Sequence, residues 1–103
     1  MYDAYDANEQ AVARRLVRAL LAKGFSLTVY NGGDEAEIIR STVFKDVVDA
    51  IGETGQDHIV VSDGLTVAGS IDLVWGNSPD ELVADYGWRN PEFEAFMNGF
   101  TGH

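Results

Sequence analysis

Residues 58–75 decide the fold, and they read HIVVSDGLTVAGSIDLVW. Two runs rich in β-branched residues flank Asp63-Gly64, a dipeptide that is the strongest short-range signal for a β-hairpin. The second run, from Leu65 to Trp75, alternates apolar and polar positions with a period of two, which is typical of a strand with one buried face. We therefore predict an antiparallel hairpin here, with a two-residue turn that pairs Ser62 with Leu65.

The segments before this hairpin predict two helices and a second hairpin. Residues 8–23 carry apolar side chains at helical spacing and end at Gly24. Residues 25–30 and 36–40 are typical of two strands joined by a glycine-containing turn. Ser41 or Thr42 is the predicted cap of a second helix, which ends at Gly52.

The segment after the hairpin contains two competing patterns. Ser78-Pro79-Asp80-Glu81 has the cap, proline and acids of a helix start, whereas residues 81–86 also fit a strand. Leu73-Val74-Trp75-Gly76-Asn77, followed by Val83-Ala84-Asp85-Tyr86, resembles the Leu-Val-Tyr-Gly-Asn … Val-Ile-Ala-Asp-Tyr segment of small bacterial and prophage proteins of unknown function. In those proteins the turn between the two parts is often Asp-Gly, whereas this chain has Ser78-Pro79. The resemblance implies a hairpin, and therefore a strand at residues 81–86, but it implies no activity.

A last helix begins at Asn90-Pro91-Glu92, and the whole order is then α-β-β-α-β-β-β-α. This order predicts one acidic α+β domain over residues 1–103, with an antiparallel sheet of about five strands and three helices packed mainly on one face of it. The apolar faces of the elements predict a buried core. Its expected members are Leu16, Leu20, Leu27, Val29, Phe44, Val48, Val67, Ile71 and Leu73.

The negative charge is confined to the second half of the chain. The net charge is −10, from 17 acids and 7 bases, and residues 1–45 are neutral. The excess in residues 46–103 repels nucleic acids and anionic membranes, so we expect no direct binding to either. The chain has no apolar run of the ~20 residues that a membrane span needs, and its first six residues do not resemble a signal peptide, so we expect a cytoplasmic protein.

Sequence motifs for catalysis or cofactor binding are missing. The chain has no cysteine, no phosphate-binding loop, no dinucleotide-binding glycines, no nucleophile elbow and no His-Glu-x-x-His. The sequence therefore predicts no cofactor and no metal centre, and it favours a protein that is not an enzyme. The alternative is a small enzyme or ligand-binding domain that uses His58 together with nearby carboxylates.

The predicted strand registers bring several polar side chains onto one face of the sheet. Asp72 lies opposite Asp85 and Asp57 lies diagonally beside Asp72 on this face, whereas His58 lies opposite Gly69 on the face that also carries Val67 and Ile71. Directly opposed like charges are destabilising, so this face either binds a cation or a basic group, or is well enough solvated for screening. His58 is otherwise a packed residue at the end of the sheet.

Three other features are candidates for contact with a partner. Arg14, Arg15 and Arg18 form a basic face on the first helix, which is either a solvated face or an anion or partner site. An aromatic stripe with helical spacing on the last helix is either part of the core or the surface of a homodimer. The stripe consists of Phe93, Phe96, Met97 and Phe100. The acids expected to meet a protein partner are Asp46, Asp49, Glu53, Asp80 and Glu81.

These patterns favour a small acidic interaction module that binds another protein, and the resemblance suggests an origin in a mobile element. The alternative within binding proteins is a DNA mimic, whose carboxylates take the place of phosphates in the basic groove of a nucleic-acid-binding protein.

Overall fold

The computed structural model describes residues 6–101, which form three α-helices and a five-stranded antiparallel sheet. A 3₁₀ turn, Pro79–Glu81, precedes the last strand. The predicted α+β class and the order α-β-β-α-β-β-β-α are confirmed. The elements are α1 (Ala7–Ala22), β1 (Ser26–Tyr30), β2 (Ile38–Ser41), α2 (Phe44–Ala50), β3 (Gln56–Asp63), β4 (Thr66–Val74), β5 (Val83–Trp88) and α3 (Pro91–Thr101).

The helix caps agree only partly with the sequence pattern. Asp6 caps α1, because its Oδ1 accepts hydrogen bonds from the backbone N–H groups of Asn8 at 2.7 Å and Glu9 at 3.3 Å. The prediction that Ser41 or Thr42 caps α2 was wrong, since Val43 holds that position without a side-chain hydrogen bond. Ser41 ends β2 instead, and its Oγ accepts from the Val43 N–H at 3.1 Å.

The strand order is β2-β1-β3-β4-β5, and the helices lie on one face of this sheet. Buried residues of all three helices share a single core with the inward side chains of β1, β3 and β4. The opposite face carries no helix within residues 6–101, and we call it the helix-free face. By strand alternation it is formed by Thr28, Tyr30, His58, Val60, Ser70 and Asp72. None of the helices among the described residues is long and apolar enough to cross a membrane.

Most of the predicted core is buried, with one clear exception. Leu16, Leu20, Leu27, Val29, Ile71 and Leu73 are buried as expected. Phe44 and Val48 are half-buried against this core. Val67 is 38% exposed, so its assignment to the core was wrong, and Leu65 in the turn is 88% exposed.

The β3–β4 hairpin explains this exception. Its two turn residues are Gly64 and Leu65, and Asp63 pairs with Thr66, so the predicted pairing of Ser62 with Leu65 was wrong. Gly64 has a φ of +62°, which suits the first position of a type II′ turn. Two residues farther along β4, Ala68 is an extra residue that forms a β-bulge. The bulge reverses the side-chain alternation, so Val67 lies on the helix-free face although Ile71 lies in the core.

The β4–β5 hairpin follows the predicted register over most of its length. Residues 81–86 were correctly interpreted as a strand, although the strand begins at Val83, and Asp72 pairs with Asp85 as predicted. A second bulge makes Ala84 the extra residue, and Leu73 pairs with Val83.

Helix α3 is pressed against the sheet at a glycine. Asn90 Oδ1 accepts from the N–H groups of Glu92 at 2.8 Å and Phe93 at 3.4 Å, which caps the helix. The Phe93 ring is fully buried over Gly69. A Cβ at Gly69 would lie 2.4 Å from both the Phe93 ring and the Gly87 carbonyl oxygen, so only glycine allows this close approach.

Candidate functional site

A row of polar side chains crosses four strands of the helix-free face. Tyr30 pairs with His58, His58 with Asp72, and Asp72 with Asp85, each directly across neighbouring strands. His58 Nδ1 lies 2.6 Å from Asp72 Oδ1, and both side chains are about half exposed. Because an ionised carboxylate only accepts hydrogen bonds, His58 donates from Nδ1–H and leaves Nε2 directed elsewhere. The Tyr30 ring lies beside the imidazole, with 6.2 Å between ring centroids.

Asp57 does not belong to this row, so its predicted place beside Asp72 was wrong. It pairs with Leu73, points to the core side of the sheet and is 3% exposed. Its Oδ2 accepts from the Gly52 N–H at 2.8 Å and from Trp75 Nε1 at 2.7 Å, and its Oδ1 accepts from Asn31 Nδ2. Asp57 therefore joins the end of β1, the segment after α2 and the end of β4.

Two opposing effects set the pKa of the Asp57 carboxyl. Burial raises the pKa of the Asp57 carboxyl, because the charged form loses its hydration, and the hydrogen bonds from Trp75, Gly52 and Asn31 oppose that rise. Burial is the larger effect, so the pKa is raised.

The ligand face expected from the sequence is thus reduced to His58 and Asp72, with Asp85 next to them. His58 lies opposite Asp72 and not opposite Gly69, which corrects the predicted register. The Asp85 carboxylate turns along its own strand, where Oδ1 accepts from the Tyr86 N–H at 2.9 Å. Among residues 6–101, no three His, Asp or Glu side chains are arranged to hold a metal ion.

The acids predicted to meet a protein partner form a second candidate surface. The five acids proposed to meet a partner are all exposed, and they lie on two separate parts of the chain. Asp46 and Asp49 lie on α2 with Glu53 just after it, whereas Asp80 and Glu81 lie in the 3₁₀ turn. Asp49 already pairs with Lys45 across one helical turn at 2.9 Å.

The basic face of α1 contacts aromatic rings of the flanking helices. The Arg18 guanidinium lies 4.6 Å from the centre of the Phe44 ring, and the Arg15 guanidinium lies 5.0 Å from that of Phe100. Arg14 donates to Gln10 Oε1 at 3.3 Å. Two of the three arginines therefore cover the half-buried edges of the core, as cation–π pairs.

The aromatic stripe of α3 is mostly part of the protein's own core. Phe93 and Met97 are fully buried, so the interpretation of the stripe as part of the core is correct for these two residues. Phe96 and Phe100 are half-buried and stack on each other, with 6.0 Å between ring centroids.

A feature that sequence reasoning missed is the free edge of the sheet at β5. The Arg89 N–H donates to the Ala68 carbonyl at 2.8 Å, so this donor points toward β4. Because donors alternate along a strand, the N–H groups of Tyr86 and Trp88 point away from the sheet. The turn residues predicted β5 as a hairpin partner, but no sequence pattern indicated that β5 would be an edge strand among residues 6–101.

A groove runs beside this edge, on the side of the sheet that carries the helices. It lies between α1, α3 and β5, and its lining includes Val12, Arg15, Tyr86 and Phe100. The Tyr86 hydroxyl donates to Asn98 Oδ1 at 2.8 Å, which fixes one wall of the groove to α3.

Searches of protein-family models, curated protein sequences and solved structures find no match to this chain. The resemblance of residues 73–86 to small bacterial and prophage proteins stays a prediction.

Proposed function

We propose that the protein binds a basic segment of another protein at the β4–β5 side of the helix-free face. The observation that carries this proposal is the direct pairing of Asp72 with Asp85 on neighbouring strands. Like charges in this position repel each other, and residues 46–103 contain only one base, Arg89, to offset the repulsion. A lysine or arginine side chain of a partner would relieve it.

The side chains around the two aspartates also suit a protein interface. Val67 on this face is 38% exposed, and the Tyr30 ring lies at the far end of the same row. Aromatic and apolar groups next to a few charges are typical of the residues that dominate protein binding. A strand face that only contacts water carries mainly polar residues.

Affinity capture with matched variants tests this proposal. The bait is the whole chain, incubated with a lysate of the organism that encodes it. We expect the wild type to retain a basic protein, the double variant Asp72→Asn/Asp85→Asn to lose it, and the control Asp46→Asn/Asp49→Asn to keep it. Since the interaction is electrostatic, capture should also weaken as the salt concentration increases.

The opposite outcomes have distinct meanings. Equal capture by the wild type and by the Asp72/Asp85 variant would contradict the proposal. Loss with the Asp46/Asp49 variant alone would instead support the DNA-mimic alternative, because Asp46 and Asp49 belong to its row of carboxylates.

The structure offers little for the alternative of an enzyme. Among residues 6–101, the hydrogen bond of the His58 side chain goes to the Asp72 carboxylate and not to a serine, threonine or tyrosine hydroxyl. The contact between a nucleophile and its base that a hydrolytic site requires is therefore not assembled.

A further inference from the structure

We infer that the basic partner segment docks as an additional β-strand on the β5 edge. This inference rests on the proposed function and specifies how the segment binds. In this mode, backbone hydrogen bonds provide affinity, and alternate side chains of the added strand enter depressions on the two sides of the sheet.

The β5 edge has the donors that such a strand needs. β5 is the last strand in the sheet order, and the N–H groups of Tyr86 and Trp88 point outward. The carbonyl groups of the same two residues point outward as well, because N–H and C=O of one residue in an antiparallel strand face the same side. Trp88 is 54% exposed, so no described element covers this part of the edge.

The surfaces on the two sides of the edge fit alternating side chains. On the helix side lies the groove whose walls include Val12, Tyr86 and Phe100, which suits an apolar side chain. On the helix-free side, a shallow depression is lined by Val60, Ser70 and Gly87 among others, close to the row that contains Asp72. A strand placed one spacing of about 4.8 Å beyond β5 would direct its side chains alternately to these two sides.

Asp85 controls which strands the edge accepts. Its carboxylate now occupies the Tyr86 N–H, one of the two outward donors, at 2.9 Å. A charged side chain on an edge is a common protection against unwanted strand pairing. An incoming strand must displace this carboxylate, and a basic residue on that strand would then pair with it.

The surrounding charge favours a basic strand over a second copy of this chain. Asp80 and Glu81 are exposed just before β5, and Glu92 is exposed just after it. A second copy would bring the same acids to the same edge, where they would repel each other. Arg15 is the one base in the lining of the groove, and its guanidinium lies over the Phe100 ring.

The other edge of the sheet is not open in this way. In β2, Ile39 and Arg40 together oppose Thr28, which forms a bulge, and Arg40 has a φ of +44°. The Arg40 N–H donates to Thr28 Oγ1 at 3.0 Å. A short and bulged edge pairs poorly with another strand, so strand addition is expected at β5 and not at β2.

Short synthetic peptides test the inference directly. The probe alternates Val and Lys, so that valines face the groove and lysines face the aspartates. We expect it to shift the amide resonances of residues 83–88 of the full chain, whereas a peptide that alternates Val and Glu should not bind. N-methylation of the peptide amides that face β5 should weaken binding about threefold to tenfold for each hydrogen bond lost, and N-methylation of the outward amides should not.

Two protein variants provide independent readouts. Trp88→Pro removes an outward donor and leaves the ladder donors of Gly87 and Arg89, as proline is tolerated at such edge positions. It should bind the Val/Lys peptide more weakly than Trp88→Ala, which lacks only the ring. Asp85→Ala should lose the preference for the Val/Lys peptide over one that alternates Val and Thr.

Three results would overturn the inference. If N-methylation has no effect and the shifted resonances belong to Tyr30 and His58, the basic segment binds through its side chains alone, and the proposed function stands without strand addition. If Trp88→Pro and Trp88→Ala bind equally well, the edge donor is not used. If the Val/Lys peptide does not bind at all, strand addition of a basic segment is wrong, and the capture experiment still decides the proposed function.

Discussion

The carboxylates on the two faces of the sheet lie in opposite environments. Asp57 on the helix-covered face is 3% exposed and accepts hydrogen bonds from three donors. Asp72 on the helix-free face is about half exposed and has the exposed His58 as its hydrogen-bond partner. A buried acceptor leaves costly unpaired donors when it is removed, whereas an exposed one is replaced by water. Substitutions on the first face should therefore change stability, and substitutions on the second should change binding.

The largest effect that would sharpen this contrast is expected for Asp57→Ala. Removing this carboxylate takes the acceptor from the Gly52 N–H and Trp75 Nε1, while Asn31 Nδ2 keeps its hydrogen bond to the Ala50 carbonyl oxygen, and each unpaired buried donor costs about 1–3 kcal/mol. We expect the free energy of unfolding in urea to decrease by roughly 3–5 kcal/mol. The matched variant Asp72→Ala should decrease it by less than about 1 kcal/mol. Equal losses for the two variants would abolish the distinction between the faces.

The next largest effect concerns two neighbouring residues of β4 that point to opposite faces. Leu73 is 1% exposed in the core, and Val74 is half-buried on the other side. Leu73→Ala should cost about 2–5 kcal/mol, the usual range for truncation of a buried leucine. Val74→Ala should cost clearly less in the same denaturation experiment. A cost below ~1 kcal/mol for Leu73→Ala would show that the assignment of faces after the bulge is wrong.

A pair of glycines gives a third, smaller effect. Gly69→Ala places a Cβ 2.4 Å from the Phe93 ring and the Gly87 carbonyl, and such overpacking typically costs about 1–3 kcal/mol. A Cβ at Gly87 meets nothing closer than Ser70 Oγ at 4.0 Å, so Gly87→Ala is the control and should be nearly neutral. Thermal unfolding of both variants measures the difference. Similar melting temperatures would mean that α3 is not pressed against β4.

The element order was predictable from the sequence because it depends on periodicity and on strong turn signals. The pairing of Asp72 with Asp85 was predictable too, since matching the apolar positions of the two strands sets this register, although the extra residue Ala84 then shifts it by one. The place of Asp57 was not predictable. Without the extra residue Ala68, Asp57 would lie opposite Asp72, and this one bulge moves it to Leu73 and to the other face of the sheet.

Bulges and sheet edges leave little trace in a sequence. Ala68 and Ala84 are the extra residues of the bulges in β4 and β5, and alanine is compatible with either pleat. The free edge at β5 depends on which strands pair across the whole sheet, which no local pattern specifies. The predicted pairing of Asp72 with Asp85 was therefore correct, whereas the predicted positions of His58 and Asp57 were wrong.

The pH dependence of stability is a further test of the helix-covered face. It should change the free energy of unfolding by less than the substitutions above. Burial raises the pKa of Asp57, so the native state keeps a proton that the unfolded chain has released. The contribution of Asp57 to stability is then full below the unfolded pKa of about 3.9, and it is lost as the pH rises through the raised folded value. The difference in unfolding free energy between the wild type and Asp57→Asn should decrease with rising pH in this window. A difference that increases with pH would mean that the three hydrogen bonds outweigh burial.

The smallest effect is expected for Asp72→Asn on the helix-free face. The asparagine keeps an oxygen that accepts from His58 Nδ1–H, and it removes the repulsion with Asp85 on the neighbouring strand. We expect a slight stabilisation, within about 0.5 kcal/mol, at low salt and none at high salt, since screening weakens the repulsion between exposed charges. A double-mutant cycle with Asp85→Asn checks the cause, because the second substitution should add nothing once the first has removed the repulsion. Destabilisation by more than ~1 kcal/mol would show that Asp72 holds the fold together as Asp57 does, and the helix-free face would then be structural.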